Sequence, residues 1–282
     1  MLNEPRTYRR SPVQFILVFV VLVIFGISFL TTIPRTGYIV LIPLAIFLGI
    51  AFLSTLYTMT QKTTISEDGI STQTFLGEKS LRWGEISRVS GRGYGIKLHN
   101  FDGDVTVAPS SQLPGYEEVV EWIGDKRPDL FNPSEYGEMK RSWLGISSLV
   151  LVGMLLVAMF IGVEIVSQES RALFLAMFFV AVIIIVFFWM VFSFPQSLTL
   201  EGRALRVKYL SSEKTLQADE IASVDLRFSQ SRNGKSYFIL ITGKDKKTVR
   251  ISGLSPSLPI VYLVLKNWHK KNTEIGLTTQ RN

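Results

Sequence analysis

Thr63–Phe75 reads T-T-I-S-E-D-G-I-S-T-Q-T-F, and Ser197–Leu210 reads S-L-T-L-E-G-R-A-L-R-V-K-Y-L. Both stretches alternate with period two on either side of a tight polar turn, Asp68-Gly69 in the first and Glu201-Gly202 in the second. That is the pattern of two short strands joined as a hairpin. Each is followed by a polar turn, Leu76–Lys79 or Ser211–Lys214, and then by a matched element. In the first copy this is Trp83-Gly84-Glu85-Ile86-Ser87-Arg88-Val89, and in the second Ala218-Asp219-Glu220-Ile221-Ala222-Ser223-Val224. Thr106–Ala108 (T-V-A) and Thr248–Arg250 (T-V-R) continue the two copies as strands, and each copy closes on an apolar helical stretch ending near Trp122 or Trp268. Ile86 and Ile221 are 135 residues apart, Val107 and Val249 are 142 apart, and Val13 and Leu144 are 131 apart. The growth between the first two offsets falls where the second copy carries the longer Ser229–Tyr237 with an Asn233-Gly234 hairpin turn. One loop insertion thus accounts for most of the drift, and the chain reads as a tandem duplication of an apolar pair followed by a β-module.

The chain has 282 residues, of which 47% are hydrophobic and only 19% charged. Mean hydropathy is +0.29. A globular chain usually carries about a quarter charged residues, so the deficit points to a bilayer. Zero cysteines exclude a disulfide framework, a thiolate nucleophile, a zinc finger and a cysteine-ligated iron–sulfur cluster. His99 and His269 stand far apart and leave little for a histidine metal site, so no metal and no cofactor are expected.

Crossing a bilayer takes roughly 20 mostly apolar residues, and four windows meet that length: Val13–Leu30, Tyr38–Tyr57, Trp143–Val163 and Ala172–Phe194. The first is too long, and lacks the small-residue cleavage site, for a signal peptide. The linkers Thr31–Gly37 and Glu164–Arg171 are short and predict antiparallel hairpins. Arg6, Arg9, Arg10, Lys62, Lys140, Arg141, Arg203, Arg206 and Lys208 flank the outer ends of the windows, against Arg35 and Arg171 in the hairpin loops. The positive-inside rule then predicts a multi-pass protein of the cytoplasmic (inner) membrane, with both termini and both polar modules on the cytoplasmic side. Its parts are a tail (1–12), a first transmembrane hairpin (13–57), a first module (59–132), a second hairpin (143–194), a second module (196–272) and a tail (273–282). No Asp, Glu, Lys, Arg or His lies inside the windows, which counts against a transporter. Pro43 and Gly49 read as a tolerated kink or a broken span. Ala45-x-x-x-Gly49 and Ala158-x-x-x-Gly162 read as close helix packing or a hint of oligomerisation.

The D-G-I turn with alternating strands, the W-G-E-I and A-D-E-I elements and the closing helix together resemble the bacterial PH (pleckstrin-homology-like) domain-containing membrane proteins, here in tandem duplicate. The resemblance implies a membrane α + β fold: four transmembrane helices in two hairpins and two cytoplasmic PH-like β-barrel modules, each closed by a C-terminal helix. It places Trp122 and Trp268 as residues of that plug rather than of a ligand site. The basic cluster that phosphoinositide-binding members carry around the first hairpin is missing: the loop is Ser66-Glu67-Asp68-Gly69 in one copy and Glu201-Gly202-Arg203 in the other.

Charge divides unevenly. Gln61–Pro133 holds 8 basic and 11 acidic residues, whereas Gln196–Asn282 holds 15 basic and 7 acidic. The second module is therefore either an ordinary positive-inside surface or a face for anionic lipid or an acidic partner. The residues that would carry such binding are Arg227, Arg232, Lys235, Lys244, Lys246, Lys247 and Arg250. The loops Arg232–Lys235 and Lys244–Lys247 fall at opposite ends of the strand Tyr237–Thr242 and cannot both face a membrane; counting strand reversals puts the Arg232–Lys235 end on that side. Too few aromatics are interleaved with these residues for nucleic acid. Ser90-Gly91-Arg92-Gly93-Tyr94-Gly95 lacks the strand–loop–helix setting of a phosphate loop and reads as a flexible hairpin. His99 reads as an exposed strand residue, and Glu117, Glu118 and Glu121 as the wet face of a helix. No catalytic residues are expected. The function expected is non-enzymatic: a membrane protein whose two modules dock proteins or lipids, with a protein partner or a second copy of the chain. The rival is a transporter or export factor built from the duplicated hairpins.

Overall fold

The computed structural model describes residues 4–10, 41–141, 192–231 and 234–279, together with scattered residues within 19–27, 153–154 and 178–189. The chain divides into two compact units, one of Met1–Ser90 with Gly95–Leu130 and the other of Gly91–Tyr94 with Phe131–Asn282.

In the first unit, β1 (Arg6–Arg9), β2 (Lys62–Ile65), β3 (Gly69–Thr74) and β4 (Gly77–Arg82) form one antiparallel sheet in that order. A 3-10 turn, Trp83–Glu85, leads into a second sheet of β5 (Ile86–Ser90), β6 (Lys97–Asn100) and β7 (Thr106–Val107). The D-G-I turn needs its glycine, because a Cβ on Gly69 would lie 2.2 Å from the Leu81 carbonyl oxygen. Period-two alternation puts Ile65, Ile70 and Leu81 side by side on the buried face, in register across β2, β3 and β4. Helix α1 (Leu41–Thr60) precedes β2, and α2 (Tyr116–Lys126) closes the unit by burying Tyr116, Val119, Val120 and Ile123, a stripe at helical spacing.

The second unit repeats the order. Strands β8 (Glu138–Lys140), β9 (Ser197–Glu201), β10 (Ala204–Lys208) and β11 (Glu213–Gln217) form its four-stranded sheet. A 3-10 turn, Ala218–Glu220, leads to β12 (Ile221–Ser231), β13 (Gly234–Gly243) and β14 (Thr248–Ile251), and α3 (Leu258–Thr279) closes it. Leu258 and every residue from Ile260 to Leu265 are buried, so the first two turns of α3 are core on all sides. Each unit thus takes its first strand, R-T-Y-R or E-M-K, from ahead of an apolar stretch that separates it from the rest of its sheet.

The four transmembrane helices expected from hydropathy are not supported. Among the described residues no helix is long and apolar enough to cross a membrane, and the described structure is mostly β-sheet. The windows Val13–Leu30, Trp143–Val163 and Ala172–Phe194, and both short linkers, lie largely outside the described residues. Most of Tyr38–Tyr57 forms α1, but its last turns carry Ser54, Thr55, Tyr57, Thr58 and Thr60. They are tied to the sheet, the Phe75 N–H donating to Thr60 Oγ1 at 3.3 Å and Tyr57 meeting Phe75 edge-on. The strictly apolar part, Leu41–Leu53, spans about 20 Å at 1.5 Å per residue, short of the roughly 30 Å of hydrocarbon. Hydropathy reports aversion to water, not what covers a segment. The multi-pass placement in the cytoplasmic membrane falls with the spans, since the arginine bias then has nothing to orient. The barrels are corrected as well: the described strands make four open sheets, two in each unit, and no closed barrel.

Candidate docking site

The chemistry of the second unit is set at the corner between its two sheets. Glu220 closes the 3-10 turn by accepting the Gln217 N–H at 3.1 Å, as Glu85 accepts that of Arg82 at 2.9 Å in the first unit. This capping role explains the glutamate shared by W-G-E-I and A-D-E-I. From α3, His269 Nε2 donates to the Ile221 carbonyl at 3.2 Å and the Trp268 indole N–H to the Gly202 carbonyl at 2.8 Å. Trp268 is buried, whereas Trp122 is only half-buried and stacks under Lys126 Nζ at 5.9 Å. In the first unit it is Trp83 that reaches the first hairpin, donating to Ser66 O at 3.1 Å.

Of the seven basic residues expected to form a binding face, the six that are described do not share one. Arg227 lies on β12 and Arg250 on β14, on the outer face of the three-stranded sheet. Arg227 stands 3.9 Å from Asp225, and the Arg250 guanidinium sits 4.0 Å from the centre of the Phe238 ring. Lys235 begins β13 and its ammonium sits 4.2 Å over the Phe228 ring. Arg232 lies outside the described residues. Lys244, Lys246 and Lys247 occupy the turn between β13 and β14, at the far end of β13, as the sequence places them. That turn is closed by the Gly243 N–H on the Lys247 carbonyl at 2.8 Å, with Lys246 at φ +65°. Lys247 pairs with Asp245 at 2.8 Å, which holds that carboxyl below its ordinary range and raises the lysine.

What the structure does bring together is a cleft of about 600 Å³ between β11, the corner turn and the β13–β14 hairpin. Lys214, Lys244 and Lys247 stand around it, and Leu216, Ile241 and Val249 give it an apolar floor. Lys244 carries no ion pair among the described residues, the Lys214 ammonium sits 5.9 Å from the centre of the Tyr209 ring, and the Lys244 N–H donates to Glu220 O at 2.8 Å, fixing the turn against the corner. Both flanking strands, β11 and β14, are edges of their sheets. On the other side the sheets are joined, by a bridge between Arg141 and Leu254 and by the Ser255 N–H on Lys140 O at 2.9 Å. The sequence reading missed Lys214. The signal was present, since Lys79 and Lys214 share the 135-residue offset of Ile86 and Ile221.

Other sequence-marked residues settle differently. His99 is half-buried rather than exposed, its Nε2 2.7 Å from Ser90 Oγ and its Nδ1 3.0 Å from Thr106 Oγ1, a ladder across β5, β6 and β7. Burial first, then Arg88 and Lys97, hold its pKa down, so it bridges the two hydroxyls as the neutral ring. Glu118 is more than a wet-face residue: it pairs with Arg6 and so ties β1 to α2. Within Ser90–Gly95, Gly91–Tyr94 belongs to the second unit, where Gly93 O accepts the Leu258 N–H at 2.8 Å. No group of acidic and histidine side chains among the described residues could hold a metal ion. No protein-family model matches the chain, and no curated protein matches it.

Proposed function

We propose that the chain acts by docking, and that the second unit receives an extended segment of a partner protein in the cleft between β11 and β14. The observation that carries this reading is the cleft itself: an apolar floor, a rim that carries Lys214, Lys244 and Lys247 together with Asp219, Glu220 and Asp245, and an edge strand along one wall. An added strand would take its main-chain hydrogen bonds from β11, set an apolar side chain on Leu216, Ile241 and Val249, and present a carboxylate to Lys214 or Lys244. The strand order, four then three then a helix in both units, supports kinship with PH-like docking modules. A lipid surface is less well served, because the basic residues lie on different faces and most are engaged locally.

The test is fluorescence anisotropy of the full chain with a labelled peptide of alternating valine and glutamate, against its valine–lysine counterpart. Saturable binding of the acidic peptide, weakened at least tenfold by Lys214→Glu with Lys244→Glu, is expected. Equal binding of both peptides, or indifference to the double substitution, refutes the reading.

A further inference from the structure

We propose that the first unit carries a site of its own, for a carboxylate, in the cleft floored by Thr72 and Gln61. The cleft measures about 350 Å³ and is lined by Tyr57, Gln61, Thr72, Lys79, Lys97 and Thr106 among others. Strand register defines its floor. On the inner face of the four-stranded sheet Tyr8 pairs with Thr63, Thr63 with Thr72 and Thr72 with Lys79. The matching rung of the second unit is Met139, Leu198, Val207 and Lys214. The two rungs share the terminal lysine and differ in everything leading to it.

Leu198 and Val207 are fully buried, as such positions ordinarily are. Thr63 is likewise fully buried and Thr72 is 7% exposed, and neither hydroxyl has a hydrogen-bond partner among the described residues. Valine is close to threonine in shape and carries no group to satisfy. Because the second unit makes the same sheet with leucine and valine, the fold does not require hydroxyls here. Gln61, 6% exposed, adds a buried amide whose Nε2 donates to Ala108 O at 2.9 Å. Lys79, an exposed residue, carries no ion pair among the described residues and stands beside Thr72 on the same face of the sheet, with Glu78 also on the cleft wall. A hydroxyl that needs an acceptor next to an ammonium that needs an anion matches one chemical group, a carboxylate held by the Lys79 ammonium and the Thr72 O–H. The volume fits a small organic acid or the carboxyl end of a polypeptide.

The experiment uses the full chain labelled with carbon-13 at threonine methyls, titrated with L-lactate, with the tripeptide Ala-Thr-Ala, and with lactamide and the C-terminally amidated tripeptide. Saturable shifts of the Thr63 and Thr72 methyls are expected with at least one free acid and with neither amide. Saturation by lactate identifies a small acid; saturation by the tripeptide alone identifies a chain terminus. Lys79→Met should abolish the shifts, Thr72→Val should weaken the acid at least tenfold, and Lys214→Met should change nothing. Thr72→Val preserves shape, so a folded variant is available for the comparison. Absence of saturation at about 10 mM acid, well above an ordinary millimolar Kd, overturns the proposal. So does equal binding of the amides, or undiminished binding by Lys79→Met.

Discussion

Arg127, just past the end of α2, makes a claim about stability that can be measured. Its guanidinium donates to the Trp83 carbonyl at 2.6 Å and to the Ile86 carbonyl, and it forms a two-pronged pair with Asp129 at 2.9 and 2.6 Å. The side chain is 17% exposed and Asp129 is 60% exposed. Arg127→Met keeps much of the packing and removes a donor from two carbonyls at the sheet–sheet corner, of which the Trp83 carbonyl still accepts from the Ile86 N–H. Hydrogen bonds to a charged group contribute about 1.5–3 kcal/mol each, so the two carbonyl contacts set the loss at about 3–6 kcal/mol. The Asp129 pair, largely in solvent, adds about 0–1 kcal/mol. Hydrogen exchange read by mass spectrometry on peptides covering β4 and β5 is the assay, because two units need not unfold as one transition. Protection in those peptides should fall by about two to four and a half orders of magnitude, at 1.36 kcal/mol per factor of ten. Arg127→Lys should fall between, since one ammonium cannot serve both carbonyls and the carboxylate in the same geometry. Asp129→Asn should cost under about 1 kcal/mol. If Asp129→Asn costs as much as Arg127→Met, the ion pair rather than the carbonyl contacts holds the corner, and the reasoning fails.

Three further outcomes follow from particular contacts. Gly115→Ala should destabilise the first unit by about 2–4 kcal/mol in thermal or urea unfolding: Gly115 sits at φ +74°, and its added Cβ would lie 2.8 Å from the Tyr8 ring; an unchanged midpoint would show that Tyr8 moves freely. Tyr8 is pushed up to about 12, by burial first and the neighbouring Glu118 second, with Arg6 opposing. Its folded value lies above the unfolded value of about 10, so its contribution to stability is whole below pH about 10 and fades as pH rises through 12; tyrosinate absorbance that lacks a late-titrating group, or that is unchanged by Tyr8→Phe, contradicts this. His269→Ala should cost the second unit about 0.5–1.5 kcal/mol, the worth of one hydrogen bond to Ile221 O, and a loss as large as that of Arg127→Met would mean that its packing dominates.

The duplication was legible because it rests on local signals. Alternation, the D-G-I turn and the spaced E-I elements each report on a few neighbouring residues, and all of them lie in the elements they suggested. The first strand of each sheet was not legible. Arg6–Arg9 pairs with Lys62–Ile65 across more than fifty residues, and nothing in R-T-Y-R announces a strand until that partner is known. Hydropathy misled for a related reason: a long apolar run shows that something must cover it, and the sequence does not say what. Net charge misled in the candidate site, where Arg227, Lys235, Lys247 and Arg250 were counted toward a surface field although each has a neighbour of its own. Thr63 and Thr72 were invisible because threonine is common in strands, and only register reveals that these two face inward.

The two units also show which features the scaffold demands. In both, a side chain beyond the core stripe of the closing helix donates to the carbonyl of the first residue after the corner, Arg127 to Ile86 and His269 to Ile221. In both, an indole donates to a carbonyl of the first hairpin, from the corner turn in one unit and from the helix in the other. The demand in each case is made by the backbone, whose buried carbonyls must be satisfied, and different residues meet it. That is why the repeat keeps its backbone contacts while the residues that make them differ. By the same logic, a difference that answers no backbone demand needs another explanation. The Thr63–Thr72 rung is such a difference: the Leu198–Val207 rung serves the same sheet without unsatisfied hydroxyls. The duplicated scaffold keeps its corner, its terminal lysine and its sheet order, while the floor of one cleft differs in a way the scaffold does not demand.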